Sequence, residues 1–264
     1  MPLTLVTIAP SHYCEKARWA LDRAGMRYEE RRHIPLLHYV VTLPVARQRT
    51  VPILVTPHGS IKDSTEILEF VDRALDEPRR LFPHEPQLRR EVVDLEGAFD
   101  RRLGPATRRF AYFYLTQDPD VFVKTVTAGM GPLPRGVAGA LATPLIVAMR
   151  RGLKLTKEGA ERSRARIHEA FEMVEARLAD GRRYLTGERF TAADLTFAAL
   201  GAPVVLPPEY GSWLPALGSL PTFADDLEAF RGRPAGQFIL RLFREDRGRR
   251  STKDAQQRSV NGLV

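Results

Sequence analysis

Three short segments hold residue types that can do chemistry once a fold brings them together. The first is Ser11-His12-Tyr13-Cys14, which follows the apolar run Leu3 to Ile8 and precedes Ala17, Ala20, Leu21 and Ala24 at helical spacing. Ser11 therefore reads as a helix N-cap. Free amides and the dipole at a helix start favour an anion and lower the pKa of a thiol held there. A hydroxyl from Ser11 or Tyr13 could stabilise a thiolate at that spot, and Cys14 could supply one; a plain cap is the competing reading. The second segment is Val51-Pro52, where a proline without an N–H opens a short strand. Spacing alone favours a trans bond there. The third is Asp63-Ser64. Ser64 as N-cap would leave backbone amides for a carboxylate, and Asp63 would face an ammonium group. That pair suits the amino-acid end of a peptide ligand, or else only caps a helix.

The elements that must position these residues follow from periodicity. Leu3 to Ile8 reads as a buried strand, and Gly25 stops the helix after it. Tyr28 to His33 makes a second strand, parallel to the first across that crossover helix. Residues 34 to 50 read as irregular or weakly helical. Val51 to Val55 and Ile61-Lys62 give two more strands. A helix with Ile67, Leu68, Val71 and Leu75 on one face follows. This β-α-β, β-β-α order is an α/β thioredoxin-like pattern over residues 1–77.

Three prolines between Pro78 and Pro86 mark a linker. Residues 87–246 then read as an all-α helical-bundle domain. One long helix spans Glu91 to Phe113, with a break at Gly104-Pro105. Glu161 to Ala179 carries a stripe of Ile167, Ala170, Phe171, Val174 and Leu178. Thr191 to Ala202 is apolar and central, and Pro221 to Arg231 is a further helix. Gly129, Gly131, Pro132, Pro134 and Pro144 break residues 117–160, which suit a lid, a pocket wall or a membrane-surface contact. Residues 247–264 read as a disordered basic tail.

The chain of 264 residues carries a formal net charge of +8. Such a charge favours anionic partners. The arginines are scattered, however, and no basic stripe interleaves with aromatics, so nucleic acid is not expected. Cys14 is the one cysteine. It excludes an intramolecular disulfide and points to a reducing, cytoplasmic setting. The N-terminus does not read as a signal peptide. No run of about 18 apolar residues is present, so a membrane span is not expected; of the three readings of residues 117–160, membrane contact is not the expected one.

In order and spacing, these segments resemble the glutathione S-transferase superfamily over roughly residues 1 to 245. The carriers are Ser11-His12-Tyr13-Cys14-Glu15-Lys16-Ala17-Arg18, Val51-Pro52 and Asp63-Ser64. A fourth is Leu185-Thr186-Gly187-Glu188-Arg189-Phe190-Thr191-Ala192-Ala193-Asp194, which looks like the family's hydrophobic staple and capping box. The resemblance implies glutathione as co-substrate, no metal, a hydrophobic electrophile as second substrate and a homodimer. It implies a cis Pro52, with the Val51 backbone pairing with the cysteinyl part of glutathione. Asp63 and Ser64 would hold the γ-glutamyl group, and His38 or Arg49 would meet the glycyl carboxylate. Ser11 falls where the family keeps its thiol-activating Ser or catalytic Cys; Tyr13 is an alternative activator. Cys14 opens a thiol-reductase route, and a non-catalytic ligand-binding scaffold is the other alternative. The electrophile would lie between the domains, near Phe110, Tyr112, Phe113 and Tyr114. Three departures stand out: His12 where many members have Pro, Asp63 where Glu is more usual, and Cys14 at the second cysteine position of a glutaredoxin-type Cys-x-x-Cys.

Overall fold

The computed structural model describes residues 3–247. Four strands form one mixed sheet in the order β2-β1-β3-β4: β1 Leu3–Thr7, β2 Tyr28–Arg32, β3 Ile53–Thr56 and β4 Gly59–Ile61. β1 runs parallel to β2, with Leu5 opposite Glu30, and antiparallel to β3, with Leu5 opposite Leu54. β4 closes the other edge antiparallel to β3. Edge strand β2 keeps Glu29 and Arg31 exposed between half-buried Tyr28, Glu30 and Arg32. Charges of that kind blunt an open edge.

Helix α1, His12–Arg23, makes the crossover between the parallel strands, and Gly25 ends it at a φ of 64°. Helix α3, Ser64–Asp72, packs beside α1 on the same sheet face. The opposite face carries Val6 and Ile53 against Ala46 of helix α2, Tyr39–Ala46. Residues 34–50 thus hold a defined helix despite Pro44, which sits where its ring opens the last turn.

The remaining described chain is helical: α4 Pro86–Ala98, α5 Gly104–Leu115, α6 Pro119–Val126, α7 Pro132–Ala140, α8 Ala142–Gly152, α9 Lys157–Leu178, α10 Ala192–Gly201, α11 Ala224–Gly232 and α12 Pro234–Leu242. The long helix expected from Glu91 starts earlier. Pro86 fits its first position, and the Glu85 carboxylate caps it by accepting from the Gln87 and Leu88 amides. α4 passes into α5 through a π-helical turn, Phe99–Leu103. Pro105 has no N–H for the Arg101 carbonyl and its ring crowds that position, so the helix widens instead of continuing regularly.

α10 is buried along its whole length. Asp194 accepts from the Leu185 and Thr191 amides at 2.8 Å each, and Thr191 completes the capping box. Phe190 stacks on Trp19 of α1, ring centroids 5.8 Å apart, so this loop also anchors the helical part to the sheet part. One continuous apolar core runs from Leu5, Trp19 and Leu54 to Phe99, Phe171, Phe197 and Phe243.

Arg247 corrects one expectation. It is not part of a loose tail: its guanidinium is buried against α1, with Nε 2.7 Å from Glu15 and a terminal nitrogen 2.7 Å from Asp22. Residues 248–264 of the expected tail lie outside the described residues. α12 is not among the helices that the sequence periodicity marks. No single described helix is long and apolar enough to cross a membrane, although the apolar α7 and α8 bend by 70° into one pair.

Candidate functional site

A cleft of about 490 Å³ opens between the sheet part and the helical part. Ser11, Tyr13, His38, Arg49, Val51, Pro52, Asp63 and Ser64 all line it. Segments up to 53 residues apart in sequence therefore converge on one cleft. Cys14 is the exception: it has no exposed surface and does not line the cleft.

Ser11 caps α1. Its Oγ accepts from the Cys14 amide at 3.3 Å, which uses a lone pair and leaves the hydroxyl proton to donate into the cleft. The amides of the first helical turn have no earlier carbonyl to bond, so this corner favours negative charge. Tyr13, two residues further on, is committed differently. Its hydroxyl donates to the Asp100 carbonyl at 2.9 Å, and burial with nearby carboxylates raises its pKa far above that of an ordinary phenol. Gly104 makes room for that ring, because a Cβ there would stand 2.3 Å from the Tyr13 hydroxyl. Burial likewise pushes the Cys14 thiol up, away from thiolate character.

Arg18 and Lys16 set where Ser11 points. Arg18 is fully buried beneath Trp213, 3.9 Å from the ring centre, and bonds Glu30 at 2.7 Å. Its other nitrogens hold the Ile8 and Ala9 carbonyls at 3.3 Å, which fixes the turn into α1. Lys16 has no exposed surface. Its ammonium donates to Thr65 at 2.9 Å, to Asp100 at 2.8 Å and to Glu96. These bonds tie α1 to the start of α3 and to α4, so both sides of the cleft share one buried charge cluster. The Lys-x-Arg of the motif is thus structural support for the site.

The Val51–Pro52 peptide is cis, with Pro52 buried at the cleft floor. The cap of α3 differs from the sequence reading. Asp63, not Ser64, is the N-cap: its Oδ1 accepts from the Thr65 amide at 2.8 Å and from the Glu66 amide at 3.3 Å. A carboxylate outcompetes a hydroxyl there because it bonds two amides and opposes the dipole. Ser64 becomes the first helical residue and is buried. Asp63 stays exposed, with its second oxygen turned to no described partner.

His38 is buried and donates through Nε2 to the Arg49 carbonyl at 2.9 Å. Burial lowers its pKa, so it is neutral at neutral pH and brings no charge for a carboxylate. The cations at that end of the cleft are Arg49, its guanidinium 5.9 Å from the Tyr39 ring centre, and Lys62.

The opposite wall comes from the helical part: Arg108 and Tyr112 of α5, with Ala148, Met149, Gly152 and Leu153 at the end of α8. Residues 117–160 therefore contribute a pocket wall. Of the four aromatics expected near a second substrate, Tyr112 faces the cleft. Phe110 is core, edge-on to Tyr114, Phe223 and Phe230, and the Tyr114 hydroxyl donates to Asp226 at 2.6 Å. His12 joins the walls: its Nε2 donates to the Gly104 carbonyl at 2.9 Å, and burial beside Arg108 lowers its pKa to about 3. Arg108 and Lys62 escaped the sequence reading. Arg108 stands among Arg101, Arg102 and Arg109, and nothing in its type or spacing sets it apart.

Among the described residues no group of three His, Cys, Asp or Glu side chains is placed to hold a metal ion.

Residues 5–79 match the glutathione S-transferase N-terminal domain, and residues 157–220 match the C-terminal domain. The chain belongs to the glutathione S-transferase superfamily. Solved structures of similar fold include glutathione transferase F2 from Populus trichocarpa, at 15% identity and TM-score 0.62, covering 99% of this chain and 100% of that one. A glutathione S-transferase from Rhodospirillum rubrum F11 shares 21% identity at TM-score 0.53, with 90% and 91% covered. The β-etherase LigF from Sphingobium shares 18% at TM-score 0.56, with 91% and 99% covered. At such identities the likeness concerns the glutathione S-transferase fold alone. No curated protein matches the sequence.

Proposed function

We propose that this protein is an enzyme that conjugates the thiolate of glutathione to an apolar electrophile, with the Ser11 hydroxyl as donor to the sulfur. The observation that carries this reading is the convergence of Ser11, Val51, Pro52, Asp63 and Ser64 on one cleft whose far wall holds Tyr112, Met149 and Leu153. In this reading the free oxygen of Asp63 takes the γ-glutamyl ammonium, and the start of α3 at Ser64 takes its carboxylate. The Val51 backbone pairs with the cysteinyl unit, and Arg49 meets the glycyl carboxylate, with His38 holding the Arg49 backbone rather than the ligand.

A free thiol has a pKa of about 8.5. A hydrogen bond to a charged acceptor contributes about 1.5–3 kcal/mol, and one pKa unit corresponds to about 1.4 kcal/mol. One bond from Ser11 thus lowers the sulfur pKa by roughly one to two units, and the α1 dipole adds about 0.3–1 kcal/mol. Together they ionise about half or more of the bound thiol at neutral pH. A positioned, partly desolvated thiolate beside an apolar pocket is what conjugation requires.

Tyr13 is less suited to this role because its proton already goes to Asp100. The buried Cys14 weighs against a reductase that works through its thiol. We extend the proposal to a homodimer in the cytoplasm; the family resemblance supports the first and the single cysteine the second. Turnover of glutathione with an apolar electrophile, compared between the native protein and Ser11→Ala, tests the reading.

A further inference from the structure

We propose that Arg108 selects electrophiles that carry a carboxylate, so that the second substrate is an anionic, otherwise apolar molecule. This rests on reading the cleft as a glutathione transferase site and names the class of its other substrate.

Arg108 lies on α5, half-buried, on the wall opposite Val51 and Pro52. It also borders an apolar recess formed by Pro10, Leu115, Leu206, Leu214 and Phe223, which continues from the cleft past His12 and Tyr112. Its neighbour Arg109 turns to the helical part instead, bonded to the Leu153 carbonyl at 3.1 Å and to Ser163 at 3.4 Å. Arg108 has no hydrogen-bond or ion-pair partner among the described residues. The groups around it cannot neutralise it. His12 is uncharged and already bonded to Gly104. Tyr13 and Tyr112 keep their protons, since burial pushes Tyr112 up to about 12 and Tyr13 higher still. Of the two carboxylates that line the cleft, Asp100 is held by Lys16 at 2.8 Å and Asp63 caps α3.

A guanidinium partly withdrawn from water needs a counter-ion, and its planar fork matches a carboxylate through two parallel bonds. The cleft of about 490 Å³, with Tyr112, Met149 and Leu153 on the same wall as Arg108, has room for the rest of such a molecule. Ser11 and Arg108 then define two ends: the sulfur is held at one, and the acid of the electrophile is anchored at the other, which orients the reacting carbon between them.

The test is calorimetric titration with S-benzylglutathione and S-(4-carboxybenzyl)glutathione, which span both halves of the site and differ by one carboxylate. The native protein is expected to bind the carboxylated conjugate about tenfold or more tightly, the scale of one charge-assisted bond. In Arg108→Gln that ratio falls to within about twofold, and Arg108→Lys keeps part of it. Equal affinity of the native protein for the two conjugates overturns the Arg108 assignment and leaves the transferase reading standing. A preference that survives in Arg108→Gln also overturns it. So does a rise in the pKa of bound glutathione's sulfur in Arg108→Gln, read from thiolate absorbance, because the arginine then serves the sulfur. Failure to bind either conjugate or glutathione itself removes the transferase reading, and this inference with it.

Discussion

The His12 imidazole donates through Nε2 to the Gly104 carbonyl at 2.9 Å, joining the first turn of α1 to the first residue of α5. Where many relatives by resemblance have a proline, this chain has a side chain that bridges the two walls of its cleft. Burial and Arg108 keep it neutral down to about pH 3, against 6.5 for a free histidine. A depressed folded-state pKa means that the unfolded chain takes up a proton first. The stability tied to neutral His12 is therefore present above pH 6.5 and is lost as pH falls toward 3, at up to about 1.4 kcal/mol per unit. Urea unfolding of native protein and His12→Asn at pH 7 and pH 4.5 checks this. The native advantage shrinks at the lower pH; parallel pH dependence would contradict it. Asp194, pushed up to about 6 by burial, works in the opposite sense but is common to both proteins.

Lys16 is held by Glu96, Asp100 and Thr65 with no exposed surface. Replacing it by methionine leaves Glu96 buried without its cation. Lys16→Met is expected to cost about 3–5 kcal/mol of stability, the scale for breaking a buried ion pair from one side. Denaturant unfolding gives the number. Lys16→Met/Glu96→Gln should recover part of it, and a loss below about 1 kcal/mol would show the cluster to be dispensable.

Ser11→Ala removes a cap and the proposed sulfur donor together. Helix capping accounts for about 1 kcal/mol of stability. The larger effect is expected on the bound sulfur, whose pKa rises by about one to two units, with conjugation at neutral pH falling at least tenfold. Thiolate absorbance of the glutathione complex across pH 5 to 10 reads this directly. An unchanged titration assigns the activation elsewhere.

Cys14 has no exposed surface and a thiol pKa raised by burial. A thiol-reactive dye should leave the native protein unlabelled and modify one site per chain after unfolding. Cys14→Ala should keep conjugation within about twofold. Rapid labelling of the folded protein would return the cysteine to the site.

The alternation of Leu3 to Ile8, the stop at Gly25 and the stripe on α9 made the elements legible, because each pattern records a single buried face. The convergence of Ser11, Pro52 and Asp63 was legible only through their order along the chain, which the resemblance supplied. What escaped depended on contacts between distant segments. Asp63 rather than Ser64 caps α3 by its reach to two amides. His38 is neutral because of what surrounds it. Arg247 is buried because Glu15 and Asp22 lie more than 220 residues away in sequence yet adjacent on α1. Arg108 looks like any other arginine until its neighbours' partners are known.

The central claim is that the cleft takes glutathione with an apolar group beside it. Calorimetric titration with reduced glutathione near neutral pH, repeated with S-hexylglutathione, tests it most directly. Saturable binding of both at one site per chain, tighter for the hexyl derivative, is the expected result. A folded protein that binds neither would contradict the account and leave the fold without its glutathione site.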